Sequence, residues 1–544
     1  MFEEEPPPSY LRNNRSALDR PEFVKKELAR LEELGCIVRV NHRPRVVNPM
    51  SVVYSNKWRL VLDGSRHLNP YCQRRGVQLE DLSHVARTVG KGDFMVCNDH
   101  DSGYWHVPVA EEHWTYLGVH VVEEDGSIKY WVWRVLVLGL RDAAHIYTRI
   151  NRPIMAALRR EGIKGLIYID DNLTVAESKE RCLEAERRVY EVFSDCGWVF
   201  KLSKRSGEPA QTCKFLGLII DSRDLTFNIP ESKVQDIKSL IAEVRARSRV
   251  KVKLVARLVG KLQAVRLATG PIVAVLTRSL YVAVAAAKTW KSWIVLTDLA
   301  KFELSWWESN LEHVTKFPID GKLSTEAVSF EVASDASGIG HFVYLVGNPS
   351  TRLASRAFST EECLQSSTWR ELKAVHKVWT DSTVLERFRG SRIAHYTDNK
   401  AVCAIMTKGS RNPRLQPLVV ETVLALRSAG IVLEAVWRSR EDGLIKFADL
   451  GSRDFHYDDI SLDFESMMQL FEEFGSFDID TFASASNTKA SRFFSRLDVI
   501  GSSGMDFFHQ RWDKSAWKVV CFLKLCFPGW QRLILISAFH QLPY

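Results

Sequence analysis

The chain has 544 residues, too many for a single hydrophobic core, so several domains are expected. An apolar fraction of 46% is typical of globular domains, and a net charge of +8 fits a polyanionic partner without proving one. The ten cysteines include no Cys-x-x-Cys pair, which argues against a zinc knuckle and favours an intracellular protein of the cytoplasm or nucleus. The acidic, proline-rich start is no signal peptide, and no uncharged run has the length of a membrane span.

The N-terminal part of the chain predicts a leader, a helix and two strands in turn. Residues 1–20 are expected to form a flexible leader. Four apolar residues at helical spacing predict a helix over 23–35, which stops at Gly35. Apolar runs then predict strands over 36–40 and 46–54.

Two basic residues open the next segment, residues 57–69. Lys57 and Arg59 precede a short apolar run. They fit exposed cations of an edge strand. They also fit a phosphate-binding pair, because a guanidinium fork matches phosphate oxygens and neutralises their charge.

Two motifs follow in the centre of the chain. An apolar run leads into Asn-Asp-His-Asp-Ser-Gly-Tyr over residues 98–104. Leu-Gly-Leu-Arg-Asp-Ala-Ala then occupies residues 138–144. The first motif places an aspartate, Asp99, at the end of a predicted strand.

A third motif has two adjacent carboxylates within an apolar run over residues 165–175. This pattern predicts a strand, a tight turn that suits Asn172, and a second strand. Asp170 and Asp171 would repel each other at a hairpin tip, and a divalent metal is the usual way to hold such a pair. For an isolated Asp-Asp pair, an exposed polar turn is the commoner explanation.

In this order and spacing, the three motifs resemble the palm of reverse transcriptases. The resemblance covers roughly residues 20–455. The family carries an aspartate five residues before an aromatic residue, then Phe-Gly-Leu-x-x-Ala-Pro, then Tyr-x-Asp-Asp. The chain departs from this pattern at Leu138, where the family usually has Phe or Gln, and at Ala144, where it has Pro.

The resemblance implies a polymerase site that uses magnesium, with manganese as an alternative. Asp99 and Asp170 would bridge two metal ions at the primer 3′-hydroxyl and the triphosphate, while Asp171 supports the site. Tyr104 would lie under the sugar of the incoming deoxynucleotide and exclude a 2′-hydroxyl; a core tyrosine at a strand–helix junction is the alternative. Asp101 lies only three residues before Tyr104, so it does not fit the family position.

The resemblance also implies further substrate-binding residues. Arg59 would grip the triphosphate, with Lys57 beside it. Gly139 would let the backbone approach the nucleotide and the template. Lys204 lies in a segment that resembles the fourth palm motif, and it would be either the general acid for pyrophosphate or a solvated loop lysine.

Residues 225–320 are expected to form a helical thumb and connection. Between residues 245 and 266 every charged side chain is basic, and leucines recur at every fourth position from 254 to 262. This pattern predicts an amphipathic helix with a basic rim on the primer–template backbone, or else a merely solvated basic face. The candidate nucleic-acid-binding residues are Lys253, Arg257 and Lys261.

A second set of acidic motifs lies in residues 325–455. Their order, Asp335, Glu371, Asp398 and Asp449, resembles the RNase H fold. In that fold four carboxylates hold two magnesium ions, which position a water for attack on an RNA phosphodiester. The chain has Ile445 where relatives often carry an asparagine. No obvious catalytic histidine lies between the last two acidic residues.

The tail, residues 456–544, resembles the segment after RNase H in DIRS-like and Ngaro-like retrotransposons, which integrate with a tyrosine recombinase. The resemblance rests on residues 475–484 with Asn487, and on Gly-Met-Asp at 504–506 with Trp512. The Asn-Pro-Pro-aromatic motif of a methyltransferase-like domain is missing, and Cys-Phe-Pro-Gly-Trp stands at 526–530 instead. The tail is therefore expected to be a truncated, inactive fragment. A Ty3-like long-terminal-repeat element is the alternative origin.

These motifs predict an α+β and α/β multidomain protein. Fingers and palm of a right-hand polymerase would span 21–224, followed by the thumb and connection, the RNase H-like domain and the tail. The implied function is RNA-directed DNA synthesis with RNase H cleavage. The partners would be an RNA template, a DNA primer, RNA–DNA hybrid and deoxynucleotides, without a membrane. A decayed copy that binds nucleic acid without catalysis is the alternative. The departures at Leu138, Ala144 and Ile445 favour it, and the survival of all seven carboxylates opposes it.

Overall fold

A computed structural model of the chain describes residues 2–55, 57–319 and 328–453, with short pieces of the segment 468–520. The chain forms two compact units. Unit 1 comprises residues 1–231 and 315–321, and unit 2 comprises residues 232–314 and 322–544. Within the part of the chain that the structure describes, no helix is both long enough and apolar enough to cross a membrane.

The first twenty residues are folded, so the expectation of a flexible leader is wrong for residues 2–20. Ser9–Tyr10 pairs in parallel with Val46–Val47 and so joins the first sheet. The Asn14 side-chain amide donates hydrogen bonds to Ser51 Oγ at 2.8 Å and to Asp63 Oδ2 at 2.9 Å. These polar contacts fix the leader, and its composition gave no sign of them.

The helix expected over 23–35 is confirmed as Pro21–Glu33. Val24, Leu28 and Leu31 form its buried face. Gly35 adopts a φ of +70° just beyond its end, a conformation that glycine takes without strain.

The described residues of unit 1 form four sheets. Three of them are called the hairpin sheet, the palm sheet and the grip sheet, and the grip sheet begins with Thr212–Phe215. The first sheet has the strand order Ser9–Tyr10, Val46–Val47, Gly118–Val122, Ile128–Trp133, Ile37–Val40. The hairpin sheet pairs Met50–Ser55 with Lys57–Leu62, and the palm sheet has the order Phe94–Asp99, Asp171–Ala176, Lys164–Tyr168. The α-helices of the unit are Arg15–Leu18, Pro21–Glu33, Val85–Thr88, Ala143–Arg160 and Lys179–Asp195.

The palm hairpin turns earlier than predicted. The turn consists of Ile169 and Asp170, and Ile169 has a φ of +56°. Asn172, which we expected in the turn, is a buried strand residue whose Nδ2 lies 3.2 Å from His100 Nε2. The prediction for Asn172 was wrong because this buried partner outweighs the turn preference of asparagine.

The grip sheet closes with a strand from a distant part of the chain. Its order is Thr212–Phe215, Leu218–Asp221, Thr226–Asn228, Lys316–Pro318. A two-residue turn of Leu216 and Gly217, both with positive φ, joins its first two strands. The chain therefore leaves unit 1 after this sheet begins and returns at residue 315 to complete it.

Unit 2 begins with helices and a short antiparallel strand pair, Val250–Lys251 with Trp293–Ile294. Its main sheet is mixed, with the order Asn348–Ala357, Gly340–Leu345, Phe330–Ala336, Arg392–Thr397, Val432–Trp437. The last three strands are parallel to one another. The α-helices are Glu231–Arg245, Val252–Ala264, Arg266–Thr269, Ile272–Val275, Arg278–Ala285, Asp298–Asn310, Thr360–Cys363, Ser367–Trp379, Ser382–Arg387, Lys400–Lys408, Gln416–Ser428 and Gly443–Arg453.

Two helices cover the two faces of this mixed sheet. Ala394 and Tyr396 pack in one cluster with Ala448 of the helix Gly443–Arg453. His395, between them in the strand, accepts a hydrogen bond at Nδ1 from the Trp379 indole of the helix Ser367–Trp379. Alternate residues of a strand face opposite sides, so the two helices lie on opposite faces.

Most of the tail lies outside the described residues. The motif residues Asn487, Met505, Asp506 and Trp512 and the segment 526–530 all fall there. Of the pieces that are described, Ile479–Asp480 pairs in parallel with Val519–Val520.

Candidate active sites

Three aspartates lie together at one end of the palm sheet. Asp99 ends its strand and is the register partner of Asp171, which begins the neighbouring strand. Directly paired residues project to the same face, so these two side chains share one side of the sheet. Asp170 occupies the adjoining turn, where its carbonyl accepts a hydrogen bond of 3.0 Å from the His100 amide.

A buried histidine supports this end of the sheet. His100 stacks on Trp198, with ring centroids 5.2 Å apart. Its Nε2 faces the Asn172 amide, and its Nδ1 lies 2.6 Å from the Tyr147 hydroxyl. Burial lowers the pKa of His100 to about 3, so the ring stays neutral and keeps both contacts. A neutral histidine thus anchors the residues on both sides of the aspartates, a role that the sequence analysis missed.

The electrostatics of the palm aspartates are those of crowded, partly buried anions. Burial and repulsion by Asp99 and Asp171 raise the pKa of Asp170 to about 6. Burial and the charge of Asp99 also raise the pKa of Asp171. A divalent cation would relieve this repulsion, and oxygen ligands of this kind suit magnesium, so the residues fit the metal.

Lys204 contacts the first of these carboxylates. Its Nζ donates a hydrogen bond to Asp99 Oδ2, and this contact raises the pKa of the Lys204 ammonium. The structure thus brings Lys204 together with Asp99, with the Lys204 side chain 55% exposed. Its role as a general acid stays a prediction.

A buried ion pair holds the loop that carries Lys204. Glu186, of the helix Lys179–Asp195, accepts hydrogen bonds from Arg205 Nε at 2.8 Å and Nη2 at 2.7 Å. The same carboxylate accepts a hydrogen bond of 3.0 Å from the side-chain amide of Asn98, the residue before Asp99. A bidentate guanidinium pair fixes geometry as well as charge, so Arg205 positions its neighbour Lys204. The sequence placed Glu186 and Arg205 too far apart for this pair to be foreseen.

Tyr104 lies beside the aspartates and is half-buried. Its ring packs edge-to-face on Tyr147, with centroids 5.3 Å apart. Burial raises the pKa of Tyr104, and the nearby charge of Asp170 raises it further. Gly103 permits this packing, because a Cβ there would lie only 2.3 Å from the Tyr147 hydroxyl.

The remaining predicted nucleotide contacts lie on or beside the hairpin sheet. Lys57 and Arg59 are exposed, and the structure records no ion pair for either among the described residues. Gly139 has a φ of +105°, and a Cβ there would lie 1.7 Å from the Leu62 carbonyl oxygen. The glycine is therefore required by packing against the hairpin sheet. This reason differs from the expected approach to nucleotide and template.

In unit 2, three other carboxylates form a second cluster. Asp335 lies near the C-terminal end of one parallel strand, and Asp398 follows the neighbouring parallel strand, so both reach the same sheet edge. Together with Glu371 they place one oxygen each within 4.8 Å of one another. Within the described ranges this is the one such group of three, so the palm aspartates are not gathered to that distance. The cluster borders a cavity of about 880 Å³.

Two carboxylates of the second cluster are buried and repelled by their neighbours. Glu371 Oε2 is buried and has no hydrogen-bond partner among the described residues, while Oε1 accepts 3.3 Å from the Ala336 amide. Burial and the charges of Asp335 and Asp398 raise the pKa of Glu371 well above its usual range. Burial also raises the pKa of Asp335 to about 6. An orphaned carboxylate oxygen among other carboxylates fits a divalent cation.

Asp449 borders the same cavity but lies outside the cluster. Its Oδ1 accepts a hydrogen bond of 2.6 Å from Arg453 Nη2, one turn further along the helix. The hydroxyl of Ser452, from the same turn, donates a hydrogen bond of 2.7 Å to Asp335 Oδ2. Ile445 is buried in the sheet core, which accounts for an apolar residue at that position.

The amphipathic helix expected between residues 245 and 266 is Val252–Ala264. Its buried face includes Leu258 and Leu262, as the leucine spacing predicted. Lys253 and Arg257 are exposed. Lys261 is paired, with Nζ 2.5 Å from Asp236 Oδ2 of the preceding helix.

The hairpin of the palm sheet has carboxylates at its turn and a cation beside them, an arrangement that fits the palm of a nucleic-acid polymerase. Residues 47–220 match the family described as "Reverse transcriptase (RNA-dependent DNA polymerase)". The chain therefore contains a reverse transcriptase domain. No curated protein matches the chain.

Solved structures of foamy viral proteins have a similar fold. The protease-reverse transcriptase in complex with RNA/DNA hybrid has a TM-score of 0.50 and 17% identity, over 85% of this chain and 58% of that one. The same kind of protein in complex with dsDNA has a TM-score of 0.50 and 16% identity, over 81% of this chain and 87% of that one. At this identity the likeness concerns the fold alone.

Proposed function

We propose that the chain is the RNA-directed DNA polymerase of a retroelement, which extends a primer on RNA or DNA and cleaves the RNA of RNA–DNA hybrids. The observation that carries the polymerase part is the pairing of Asp99 with Asp171 beside Asp170, with Lys204 on Asp99. This arrangement gathers anionic ligands and a proton donor at one end of a rigid sheet.

The palm residues would act on the incoming nucleotide as follows. The primer 3′-oxygen forms a bond to the α-phosphorus, the bond from that phosphorus to the pyrophosphate oxygen breaks, and the 3′-hydroxyl proton leaves to solvent. Lys204, which is protonated at neutral pH, would give a proton to the departing pyrophosphate. Asp99, Asp170 and Asp171 would hold magnesium or manganese, which supplies charge neutralisation at the reacting oxygens.

The second cluster supports the RNase H part of the proposal. Three features support it: the mixed sheet with its three parallel strands, the cluster of Asp335, Glu371 and Asp398, and the presence of Asp449 on the same cavity. The cluster would hold divalent metal, which supplies a bound water for hydrolysis. An RNA phosphodiester is the substrate that this chemistry fits.

The origin of the element is proposed from the tail sequence. Residues 475–484, with residues 504–506, carry the likeness to DIRS-like and Ngaro-like elements. A tyrosine recombinase, encoded apart from these residues, would then complete integration of the copied DNA.

Primer extension by the purified protein on poly(rA)/oligo(dT) tests the polymerase proposal. We expect incorporation of dTTP that depends on magnesium or manganese. Binding of the primer–template without incorporation would instead support the decayed copy.

Replacing Tyr104 by valine is expected to relax sugar selection. The smaller side chain opens space beside Asp170, so a 2′-hydroxyl no longer clashes. The ratio of kcat/KM for dNTP to that for rNTP on one primer should fall strongly while dNTP insertion changes modestly. Tyr104→Phe, which keeps the ring, should retain the wild-type ratio. An unchanged ratio in Tyr104→Val would assign Tyr104 to the core.

Charge reversal on the thumb is expected to weaken hybrid binding. Lys253→Glu with Arg257→Glu should lower the affinity and reduce the log–log salt slope by about one for each phosphate that the helix no longer neutralises. Fluorescence anisotropy of a labelled hybrid across salt concentrations measures both. Compared with either single reversal, Lys253→Glu or Arg257→Glu, Lys261→Glu makes the same charge change on the same helix. It should have the smaller effect, because Lys261 already pairs with Asp236. Equal slopes in all variants would place the basic rim away from the hybrid.

A further inference from the structure

An arginine makes direct contact with the second carboxylate cluster. Arg440 Nε lies 2.5 Å from Asp398 Oδ2. The Arg440 side chain is 84% exposed, whereas that of Asp398 is 5% exposed. The guanidinium thus reaches the cluster from the solvent side of the cavity, where a bound substrate would approach.

The short loop that carries this arginine is fixed at both ends. The amide of Arg438, two residues earlier, donates a hydrogen bond of 3.0 Å to the Thr397 carbonyl, and the Arg438 guanidinium lies over the Tyr396 ring. Asp442, two residues later, accepts a hydrogen bond of 2.9 Å from the Leu444 amide at the start of the next helix. Between these anchors, Arg440 is free to extend toward the cavity while its backbone stays in place.

The position of the loop matters for the proposed chemistry. It lies between Asp398 and Asp449, the stretch in which the sequence has no obvious catalytic histidine. The cations that border the cavity are Arg370, Lys400, Arg440, Lys446 and Arg453. Lys446 pairs with Glu441 at 2.8 Å, Arg453 pairs with Asp449, and Lys400 lies over the Trp437 ring. Among the described residues, Arg440 is the one of these cations with a recorded ion pair to the cluster.

We propose that Arg440 binds the scissile phosphate of the RNA strand, leaving Asp398 when divalent metal and hybrid occupy the site. This inference rests on the proposed RNase H function and adds a residue to it. An arginine fork binds two phosphate oxygens at once, and it neutralises negative charge that grows in the transition state.

The reaction gives Arg440 a defined role. A water oxygen forms a bond to phosphorus, the bond from phosphorus to the RNA 3′-oxygen breaks, and the leaving oxygen gains a proton while the attacking water loses one to solvent. Guanidinium does not titrate in the working pH range. Arg440 therefore stabilises charge and does not serve as the proton donor.

Without nucleic acid, Arg440 competes with metal for Asp398. Its contact with the carboxylate raises the pKa of Arg440, as expected for a cation seated on an anionic cluster. Removing the guanidinium should therefore strengthen metal binding in the free protein and weaken catalysis on the hybrid. A residue that merely held Asp398 in place would weaken both when removed.

Three substitutions in the full chain test this proposal. Arg440→Ala should lower kcat/KM for hybrid cleavage on the order of 10²-fold, without loss of primer extension. Arg440→Lys should recover part of the rate. Arg440→His should lose rate as the pH rises through about 6.5, because the imidazolium loses its proton there. Arg389→Ala is the control, an exposed arginine of the same unit that pairs with Glu386 and does not border the cavity, and it should keep the cleavage rate.

Calorimetric titration of the free protein with magnesium is the second readout. Arg440→Ala should bind magnesium more tightly than the wild type. Wild-type cleavage by Arg440→Ala would overturn the proposal, as would weaker magnesium binding in that variant. Absence of hybrid cleavage in the wild type would instead refute the proposed RNase H function, and the titration would still report the competition at Asp398.

Discussion

Replacing Asp170 by asparagine is expected to reduce primer extension by several orders of magnitude while the protein stays folded. The substitution keeps the shape of the side chain and leaves the carbonyl that accepts from the His100 amide in place. It removes one anionic ligand from the palm, where metal is needed to neutralise the reacting oxygens. Single-turnover extension on poly(rA)/oligo(dT) measures the loss.

Asp101→Asn is the matched control for this prediction. Asp101 lies two residues after Asp99 and pairs with Lys201 at 3.4 Å, outside the group of three aspartates. Its replacement should change extension by a modest factor only. Equal activity of Asp170→Asn and the wild type would remove Asp170 from the active site.

The difference in stability between the wild type and Asp170→Asn should depend on pH in a defined way. The pKa of Asp170 is about 6 in the folded protein, against a usual value of 3.8. Between these values the unfolded chain ionises first, so the native protein loses stability as the pH rises. The Asp170→Asn variant has no carboxyl group at this position, so it does not lose this stability. In metal-free buffer its melting temperature should therefore exceed that of the wild type above pH 6, and the two should converge near pH 4.

Replacing Glu371 by glutamine is expected to abolish cleavage of RNA in a hybrid and to leave primer extension intact. Glu371 belongs to the cluster with Asp335 and Asp398, and its Oε2 has no hydrogen-bond partner among the described residues, so Oε2 is the oxygen left for a metal. Glutamine can keep the contact of Oε1 with the Ala336 amide. The fold should therefore survive, and a labelled hybrid should remain uncut.

Glu361→Gln, an exposed carboxylate earlier in the same unit, is the control for nonspecific loss of charge. It should cleave at the wild-type rate. A parallel loss of extension and cleavage in a folded Glu371→Gln variant would mean that the two reactions share one site.

Local patterns predicted the palm motifs because each motif is a short stretch of consecutive residues. The apolar runs around Asp99 and Asp170 predicted strands, and the strands bring both to one end of a sheet. The same reasoning misplaced the turn at Asn172, because the partner that holds this residue, His100, lies 72 positions away.

Charge patterns were less informative, because they show only one partner of each ion pair. The absence of acids around Lys261 suggested a free basic face, yet Asp236 from another helix neutralises it. Arg205 likewise finds Glu186 across the fold. Arg440 lay within the stretch that the sequence analysis searched for a histidine, and its contact with Asp398 became visible only in the structure.

The returning strand of the grip sheet has a consequence for the order of folding. Phe227 pairs with Phe317, a contact between residues roughly 90 positions apart, so a large loop must close before the pair forms. During synthesis the first three strands of this sheet emerge well before the fourth. The edge strand Thr226–Asn228 is therefore expected to stay unpaired on one side until the helices of residues 232–314 and the strand Lys316–Pro318 have been synthesised. Chains released before residue 318 should expose that edge and be prone to aggregation.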